Sequence, residues 1–218
     1  MTGRSERDPT AAPSATAPAA FFVIIRGPLG VGKTTVARRL ARKLGGEHVL
    51  IDQILEDHAL EEWKDGYISV GSFLRANQVA AVRAGPVLSR GVPVVFDGNF
   101  YWERQIQDLI GRLDHPHFVF TLHAPLATCI ARDARRAVSY GAEAARDVCD
   151  KSSQFDWGVR VDAARTIDGT VGEILAQLPP ARRCARGTAS PVTRAEGSQR
   201  SSALRRRSTP RPSSAARR

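Results

Sequence analysis

The sequence contains few cysteines and no long apolar run. Its three cysteines, at positions 129, 149 and 184, are too few for a disulfide framework and lack the spacing of zinc ligands. They are typical of free thiols in a reducing compartment. No apolar run approaches the roughly 18 residues of a membrane-spanning helix, and the run at 21–25 is too short for the core of a signal peptide. These absences predict a cytoplasmic protein with no membrane partner.

Outside residues 181–218 the chain has no net charge, although the formal charge of the whole is +10. Residues 181–218 contain eleven arginines and a single acidic residue, Glu196, which accounts for the entire excess. A basic segment of this kind is either a solvated appendage or a transient contact for nucleic acid or anionic surfaces. The neutral remainder favours a small-molecule partner, so only the basic tail offers a surface to nucleic acid.

Composition divides the chain into three parts. Residues 1–20 are rich in Ala, Pro, Thr and Ser and lack apolar periodicity, which predicts a disordered leader. Residues 21–179 hold the regular apolar patterns and predict one folded domain. Residues 180–218, rich in Arg, Ser, Ala and Pro, predict a disordered basic tail.

Short apolar runs alternate with amphipathic segments through the central part. The runs predict strands at 21–26, 48–52, 92–96, 117–122 and 163–168. Helices are predicted between them, including one over 33–44, one over 70–84 that Gly85-Pro86 ends, and a last one opened by a capping box at 170–173. This alternation predicts an α/β fold with a five-stranded parallel sheet sandwiched by helices. A polar stretch at about 139–158 shows weak periodicity.

The clearest motif is G-x-x-x-x-G-K-T at Gly27–Thr34, here called the phosphate loop. It follows a predicted strand and opens a predicted helix, which is the context that phosphate binding requires. Glycines let backbone amides curl around a phosphate chain, and the helix adds its positive end. Lys33 can reach the β- and γ-phosphates, and the Thr34 hydroxyl can ligate Mg²⁺. The residues expected to bind nucleotide are Gly27, Pro28, Leu29, Gly30, Val31, Gly32, Lys33, Thr34 and Thr35.

Two acidic residues lie at the carboxyl ends of predicted strands. Asp52 is the last residue of the predicted strand at 48–52, and Asp97 comes directly after Val94-Val95-Phe96. The active site of a parallel sheet lies beyond the carboxyl ends of its strands, which favours a catalytic role for both. Each has a structural alternative, because Asp52 could cap the next helix and Asp97 could form a turn with Gly98.

These residues carry a resemblance that covers the chain from Phe21 to Leu178. The chain resembles the small P-loop kinases, which include shikimate, gluconate, adenylate and nucleoside kinases and chloramphenicol phosphotransferase. It is also similar to the kinase halves of polynucleotide repair proteins. The resemblance implies that Asp97 is a Walker B residue that orients Mg²⁺, and that Asp52 contacts the substrate hydroxyl.

The resemblance also implies a lid with arginines that close over the nucleotide. Arg132, Arg135 and Arg136 have offsets of three and four, which would place Arg132 beside both others on one helix face. Arg132 and Arg136 are the lid arginines expected in catalysis, and the stretch at 139–158 would be the lid itself. The alternative is a solvated basic face.

The function implied is transfer of the γ-phosphoryl group of Mg-ATP to a hydroxyl of a small molecule. The cofactors are then ATP and Mg²⁺. Two alternatives stay open, an ATPase or nucleotide switch without an acceptor and a polynucleotide 5′-hydroxyl kinase. The acceptor, the choice between ATP and GTP, and the oligomeric state are left open by the sequence.

Overall fold

A computed structural model describes residues 20–179. The predicted leader, apart from the buried Ala20, and the predicted basic tail lie outside these residues. The strands are β1 Phe22–Arg26, β2 Glu47–Leu50, β3 Trp63–Lys64, β4 Tyr67–Ile68, β5 Val94–Asp97, β6 His117–His123 and β7 Val159–Asp162. The helices are α1 Lys33–Leu44, α2 Ile51–Asp57, α3 Val70–Ser89, α4 Glu103–Leu113, α5 Leu126–Asp133, α6 Gly141–Ser152 and α7 Ile167–Leu175.

Five strands form one parallel sheet in the order β2-β5-β1-β6-β7, and β3 pairs with β4 in a small antiparallel hairpin. The predicted fold class, a five-stranded parallel sheet flanked by helices, is confirmed. The strand β1 lies at the centre, so both of its faces are covered and all five of its residues are buried. No helix within residues 20–179 is both long and apolar enough to cross a membrane.

The apolar core lies in two layers, one on each face of the sheet. Phe22 and Ile24 point to the layer formed with α2, α3 and α4. Val23 and Ile25 point to the opposite layer, where α1, α5 and α7 pack. This alternation follows from the period of two along a strand.

The fifth strand and the last helix differ from the prediction. The strand is β7, Val159–Asp162, rather than 163–168, and α7 begins at Ile167 rather than at a capping box at 170. The side chain of Thr166 caps α7 by accepting a hydrogen bond from the Gly169 amide. Because β7 is an edge strand and Val159 is 44% exposed, its apolar pattern is too short to stand out.

Two further boundaries also differ from the prediction. The helix α3 continues through Gly85-Pro86 to Ser89, because Pro86 lies on the exposed side where a missing backbone bond can be replaced by water. The polar stretch at 139–158 contains a regular helix, α6, and only Ala145 and Ser152 of it are buried. Its periodicity is weak because so little of its surface faces the core.

Candidate active site

The phosphate loop forms a tight turn between β1 and α1. Gly27 and Gly30 have φ values of +141° and +78°, which favour glycine. A Cβ atom on Gly27 would lie 2.4 Å from the Leu122 carbonyl oxygen, and one on Gly30 would lie 2.2 Å from the Cys129 carbonyl oxygen. The loop is therefore packed directly against the end of β6 and against α5.

Lys33 begins α1 and points back into the phosphate loop. Its Nζ donates hydrogen bonds to the carbonyl oxygens of Gly27 and Pro28, each 3.0 Å away, and the residue is only 8% exposed. Burial lowers the pKa of the Lys33 ammonium, and the charges of Asp52 and Asp97 oppose that shift only in part. Both predicted acids therefore act electrostatically on the same buried cation.

Asp97 connects the phosphate loop to the neighbouring strand β2. Its Oδ2 accepts a hydrogen bond from Thr34 Oγ1 at 2.6 Å, while His48 Nε2 contacts its other oxygen, Oδ1. Asp97 is fully buried, and the parallel register places Leu50 beside it. The alternative of a simple turn residue is wrong, because both carboxylate oxygens bind side chains of other elements.

The paired oxygens of Thr34 and Asp97 fit a magnesium ion chemically. Mg²⁺ prefers hard oxygen ligands, and in nucleotide sites it takes few of them from the protein, the rest coming from phosphate and water. Within residues 20–179 no group of three or more His, Cys, Asp or Glu side chains is arranged to hold a metal. The site therefore suits an ion that arrives with a phosphate ligand.

Asp52 lies in the first turn of α2 and not at the end of a strand, because β2 ends at Leu50. Its Oδ1 accepts a hydrogen bond from the Asn99 amide at 3.1 Å, which fixes the carboxylate next to the end of β5. The helix-capping alternative is wrong, since α2 has no side-chain cap and Leu50 occupies that position. Burial raises the pKa of the Asp52 carboxyl, which the charge of Lys33 only partly offsets.

Arg132 is the arginine that reaches the phosphate loop. It lies near the end of α5, and its Nη1 donates to the carbonyl oxygens of Val31 at 3.1 Å and Ala163 at 2.9 Å. Arg132 thus joins the phosphate loop to the segment after β7. The sequence pattern predicts that Arg132 lies on a helix, which is correct, but it does not predict the two backbone carbonyl groups that Arg132 contacts.

The three arginines do not share one helix face, because α5 ends at Asp133. Arg135 and Arg136 lie in the turn that follows, and both are exposed. Arg136 Nη1 lies 3.4 Å from Asp133 Oδ1 and is close enough to Lys33 for its charge to lower the pKa of that ammonium. The prediction that the three arginines share one helix face is wrong, because it required a helix that continues to Arg136.

Asp133 organises the connection between α5 and α6, although no motif in the sequence indicates such a role. It is 1% exposed, and its Oδ2 accepts hydrogen bonds from Ser139 Oγ at 2.8 Å and from the amides of Tyr140 and Gly141 at 2.9 and 3.1 Å. Burial would raise the pKa of its carboxyl, but these hydrogen bonds and that of Arg136 outweigh burial and lower it. The predicted lid segment is therefore tied at its start.

Arg26 holds the other end of the predicted lid segment in place. From the sequence it was expected only to end an apolar strand. It is fully buried and donates to the carbonyl oxygens of Ser152 at 2.6 Å and Phe100 at 3.2 Å. Its guanidinium also lies 4.2 Å from the centroid of the Phe155 ring. Burial lowers the pKa of Arg26 to about 10. No carboxylate within residues 20–179 forms an ion pair with it, so carbonyl dipoles hold its charge, one of them at the negative end of α6.

An aromatic cluster contacts α6 from the other side. Lys151 Nζ lies 3.9 Å from the ring centroid of Trp102 and 5.2 Å from that of Tyr67. Tyr67 also donates a hydrogen bond to the Asp147 carbonyl oxygen at 3.4 Å, and Trp102 Nε1 donates to that of Ile68 at 3.0 Å. The predicted lid helix thus contacts the β3–β4 hairpin and the segment before α4 as well as β1.

Comparisons with known proteins give the family and the fold. Residues 22–154 match the family described as an AAA domain. A comparison with curated protein sequences gave no match.

Three solved structures share the fold at low sequence identity. A gluconokinase from Sinorhizobium meliloti 1021 is 15% identical over 72% of this chain and 91% of its own, with a TM-score of 0.56. A sugar kinase from Janibacter sp. HTCC2649 is 16% identical over 72% and 93%, with a TM-score of 0.60. The APS kinase of Mycobacterium tuberculosis, solved with AMPPNP and APS, is 15% identical over 73% and 98%, with a TM-score of 0.55.

The family match covers more than half of the chain, including the phosphate loop. The chain therefore belongs to the AAA domain family of P-loop proteins, with the fold of the small P-loop kinases.

Proposed function

We propose that this protein transfers the γ-phosphoryl group of Mg-ATP to a hydroxyl group of a small molecule. The observation that carries the proposal is the geometry around the phosphate loop. The buried Lys33 ammonium lies inside the loop, Asp97 accepts a hydrogen bond from Thr34 at 2.6 Å, and the Asn99 amide holds Asp52 next to the end of β5. Phosphoryl transfer needs a cation for the phosphates, oxygen ligands for Mg²⁺ and a carboxylate near the acceptor, all at one place. In this proposal Lys33 at the start of α1, Asp97 at the end of β5 and Asp52 in the first turn of α2 supply these functions.

Nucleotide binding falls to the phosphate loop. Lys33 donates to the loop's own carbonyl oxygens, so a phosphate chain in the loop would replace two neutral acceptors with anionic ones. Thr34 and Asp97 are the residues that would hold Mg²⁺, which when bound neutralises charge on the phosphates. The backbone amides of the loop add further donors that are already in position.

Asp52 is the residue suited to accept the proton of the attacking hydroxyl. One of its oxygens is fixed by the Asn99 amide, and the other accepts no hydrogen bond within residues 20–179. Its raised pKa makes the carboxylate a stronger base than an ordinary aspartate. As the acceptor O–H bond breaks, the proton passes to Asp52 and the acceptor oxygen bonds to the γ-phosphorus. The bond between that phosphorus and the β,γ-bridging oxygen breaks, and ADP leaves with the electron pair.

Two arginines are placed to balance the negative charge of the transferring group. Arg132 touches the phosphate loop directly, and Arg136 lies near enough to influence Lys33. Fixed guanidinium charges at such positions stabilise charge that spreads over phosphoryl oxygens during transfer. Catalysis in this scheme depends on positioning and charge rather than on a covalent step of the protein.

The test is ADP release from Mg-ATP in the presence of candidate alcohols. The panel contains nucleosides, sugar acids, shikimate-like acids, and aminoglycoside and phenicol antibiotics, with a 5′-hydroxyl oligonucleotide as a separate arm. We expect ADP release that depends on one class of small alcohol and disappears in Lys33→Ala. Hydrolysis at the same rate without any acceptor would contradict the proposal and favour an ATPase, and labelling of the oligonucleotide alone would favour a polynucleotide kinase.

A further inference from the structure

A groove lies between α1 and the edge strand β2, outside the phosphate loop. It is open to solvent, has a volume of about 410 Å³, and is lined by Arg38, Ala41, Arg42, Gly46 and His48. Its size is within the range of pockets that hold small molecules, roughly 300–1,000 Å³. Nothing in the proposed phosphoryl transfer uses this groove.

The position of the groove follows from helical spacing along α1. Residues 34, 38 and 42 recur every four positions and so lie along one side of the helix. Thr34 stands at the metal-binding end of this row, while Arg38 and Arg42 continue it along the groove. His48 lines the groove and also contacts Asp97, the residue that accepts a hydrogen bond from Thr34.

The charges in the groove are unbalanced. Among the described residues neither Arg38 nor Arg42 forms an ion pair, whereas seven other arginines do, among them Arg39 with Asp168 at 2.8 Å and Arg90 with Glu47 at 3.9 Å. No acidic residue lines the groove. Arg38 and Arg42 are both exposed, line the same groove, and are not paired with a carboxylate of the described residues.

We propose that this groove binds the phosphate group of a small anionic molecule, at a second site separate from the phosphate loop. Guanidinium groups bind phosphate oxygens through paired N–H donors, and two of them one helical turn apart can hold one such group between them. A small molecule fits better than a nucleic-acid strand, because the groove has a volume of only about 410 Å³ and the domain carries no excess of positive charge. The site does not depend on the proposed kinase activity.

The test follows the His48 ring by NMR during a titration with inorganic phosphate at constant pH. The full chain is labelled at histidine, His48 is assigned with His48→Gln, and the phosphate loop is first saturated with Mg-AMPPNP. We expect the His48 signal to shift in a saturable way. The apparent Kd should rise at least tenfold in the double variant Arg38→Ala, Arg42→Ala.

Two control variants make the result specific. Lys43→Ala removes an exposed cation from α1 outside the groove lining and should leave the phosphate Kd unchanged. Arg38→Lys with Arg42→Lys keeps the charge but loses the paired donors, so we expect partial weakening. Circular dichroism of each variant checks that α1 still forms.

Several outcomes would overturn the proposal. They are the absence of a saturable shift in the wild type, a shift of equal affinity in the double alanine variant, and a shift with an oligonucleotide but not with phosphate. Binding of AMPPNP to the phosphate loop is measured separately. If AMPPNP does not bind, the phosphate titration is made on Lys33→Ala, in which the phosphate loop lacks its lysine. Failure of nucleotide binding is then distinguishable from failure of the groove.

Discussion

Arg132 donates a hydrogen bond to the Val31 carbonyl oxygen at 3.1 Å, across 101 residues of sequence. The same guanidinium nitrogen binds the Ala163 carbonyl at 2.9 Å, so one side chain from α5 joins the phosphate loop to the segment after β7. The arginine that was expected to close over the nucleotide is thus in contact with the backbone of the phosphate loop.

Replacing Arg132 with Met should lower kcat/KM for Mg-ATP at least tenfold. The variant keeps most of the side-chain volume. It removes the hydrogen bonds to the carbonyl oxygens of Val31 and Ala163 and a positive charge next to the phosphate loop. Steady-state kinetics check this, with Arg135→Met as the matched control because Arg135 is exposed. Equal losses in the two variants would show that general positive charge, and not the Val31 contact, matters.

Replacing Lys33 with Ala should lower turnover by about 10²–10³-fold or more, the cost typical of removing one preorganised charged donor from a transferring group. The ammonium is the only buried lysine group within residues 20–179 and lies inside the phosphate loop. Lys43→Ala, on the exposed side of α1, is the control and should keep wild-type activity. A Lys33→Ala variant with normal turnover would rule out the proposed role.

Replacing Asp52 with Asn should lower kcat by about 10²–10⁴-fold, the range typical for loss of a general base. In the wild type the acid limb of the pH–rate profile should lie above the ordinary aspartate pKa of about 3.9, because burial raises the pKa of Asp52. Activity rises as pH passes through that value, since only the carboxylate accepts a proton. Asp57→Asn on the exposed end of α2 is the control, and an unchanged acid limb in Asp52→Asn would contradict the assignment.

Replacing Arg26 with Met should destabilise the protein by about 3 kcal/mol, because buried carbonyl oxygens, those of Ser152 and Phe100, lose their donor. Urea unfolding measures this, with the exposed Arg104→Met as the control. Arg26→Lys should recover only part of the loss, since an ammonium cannot reach all of these acceptors. Equal stability of Arg26→Met and wild type would mean that these bonds contribute little net free energy.

Asp133 should make the anchoring of α6 sensitive to acid. Its folded-state pKa is lower than the unfolded value, so its stabilising contribution is complete above about pH 3.9 and is lost as pH falls through the folded-state pKa. Asp133→Asn should therefore cost about 1–2 kcal/mol at pH 6 and progressively less below pH 4. Urea unfolding between pH 6 and pH 3 checks this against the exposed Asp168→Asn, and a pH-independent difference would contradict it.

The sequence predicted the sheet and the phosphate loop because both depend on local patterns. Consecutive apolar residues in β1 and the G-x-x-x-x-G-K-T spacing are each readable within a few positions. Asp97 and Thr34 were also identified from such patterns, and the structure brings them to 2.6 Å. Asp52 was identified as well, although it belongs to a helix rather than to a strand end.

Two kinds of contact were not predicted from the sequence. One kind joins residues far apart in the chain, and the other involves a residue type that is unusual at its position. Arg26 lies in an apolar strand and is held by carbonyl groups from segments more than 70 residues away. Asp133 binds backbone amides of a turn that has no motif. His48 reaches Asp97 only because β2 and β5 are neighbours in the sheet, and this order is not visible in the chain.

Gly30 cannot be replaced by a larger residue, for a packing reason that is separate from phosphate binding. It occupies one of the unspecified positions of G-x-x-x-x-G-K-T, yet the Cys129 carbonyl leaves no room there for even a methyl group. Any larger residue would push α5 outward and draw the Arg132 guanidinium off Val31. Mutational tolerance at this position therefore reports how closely α5 and the phosphate loop depend on each other.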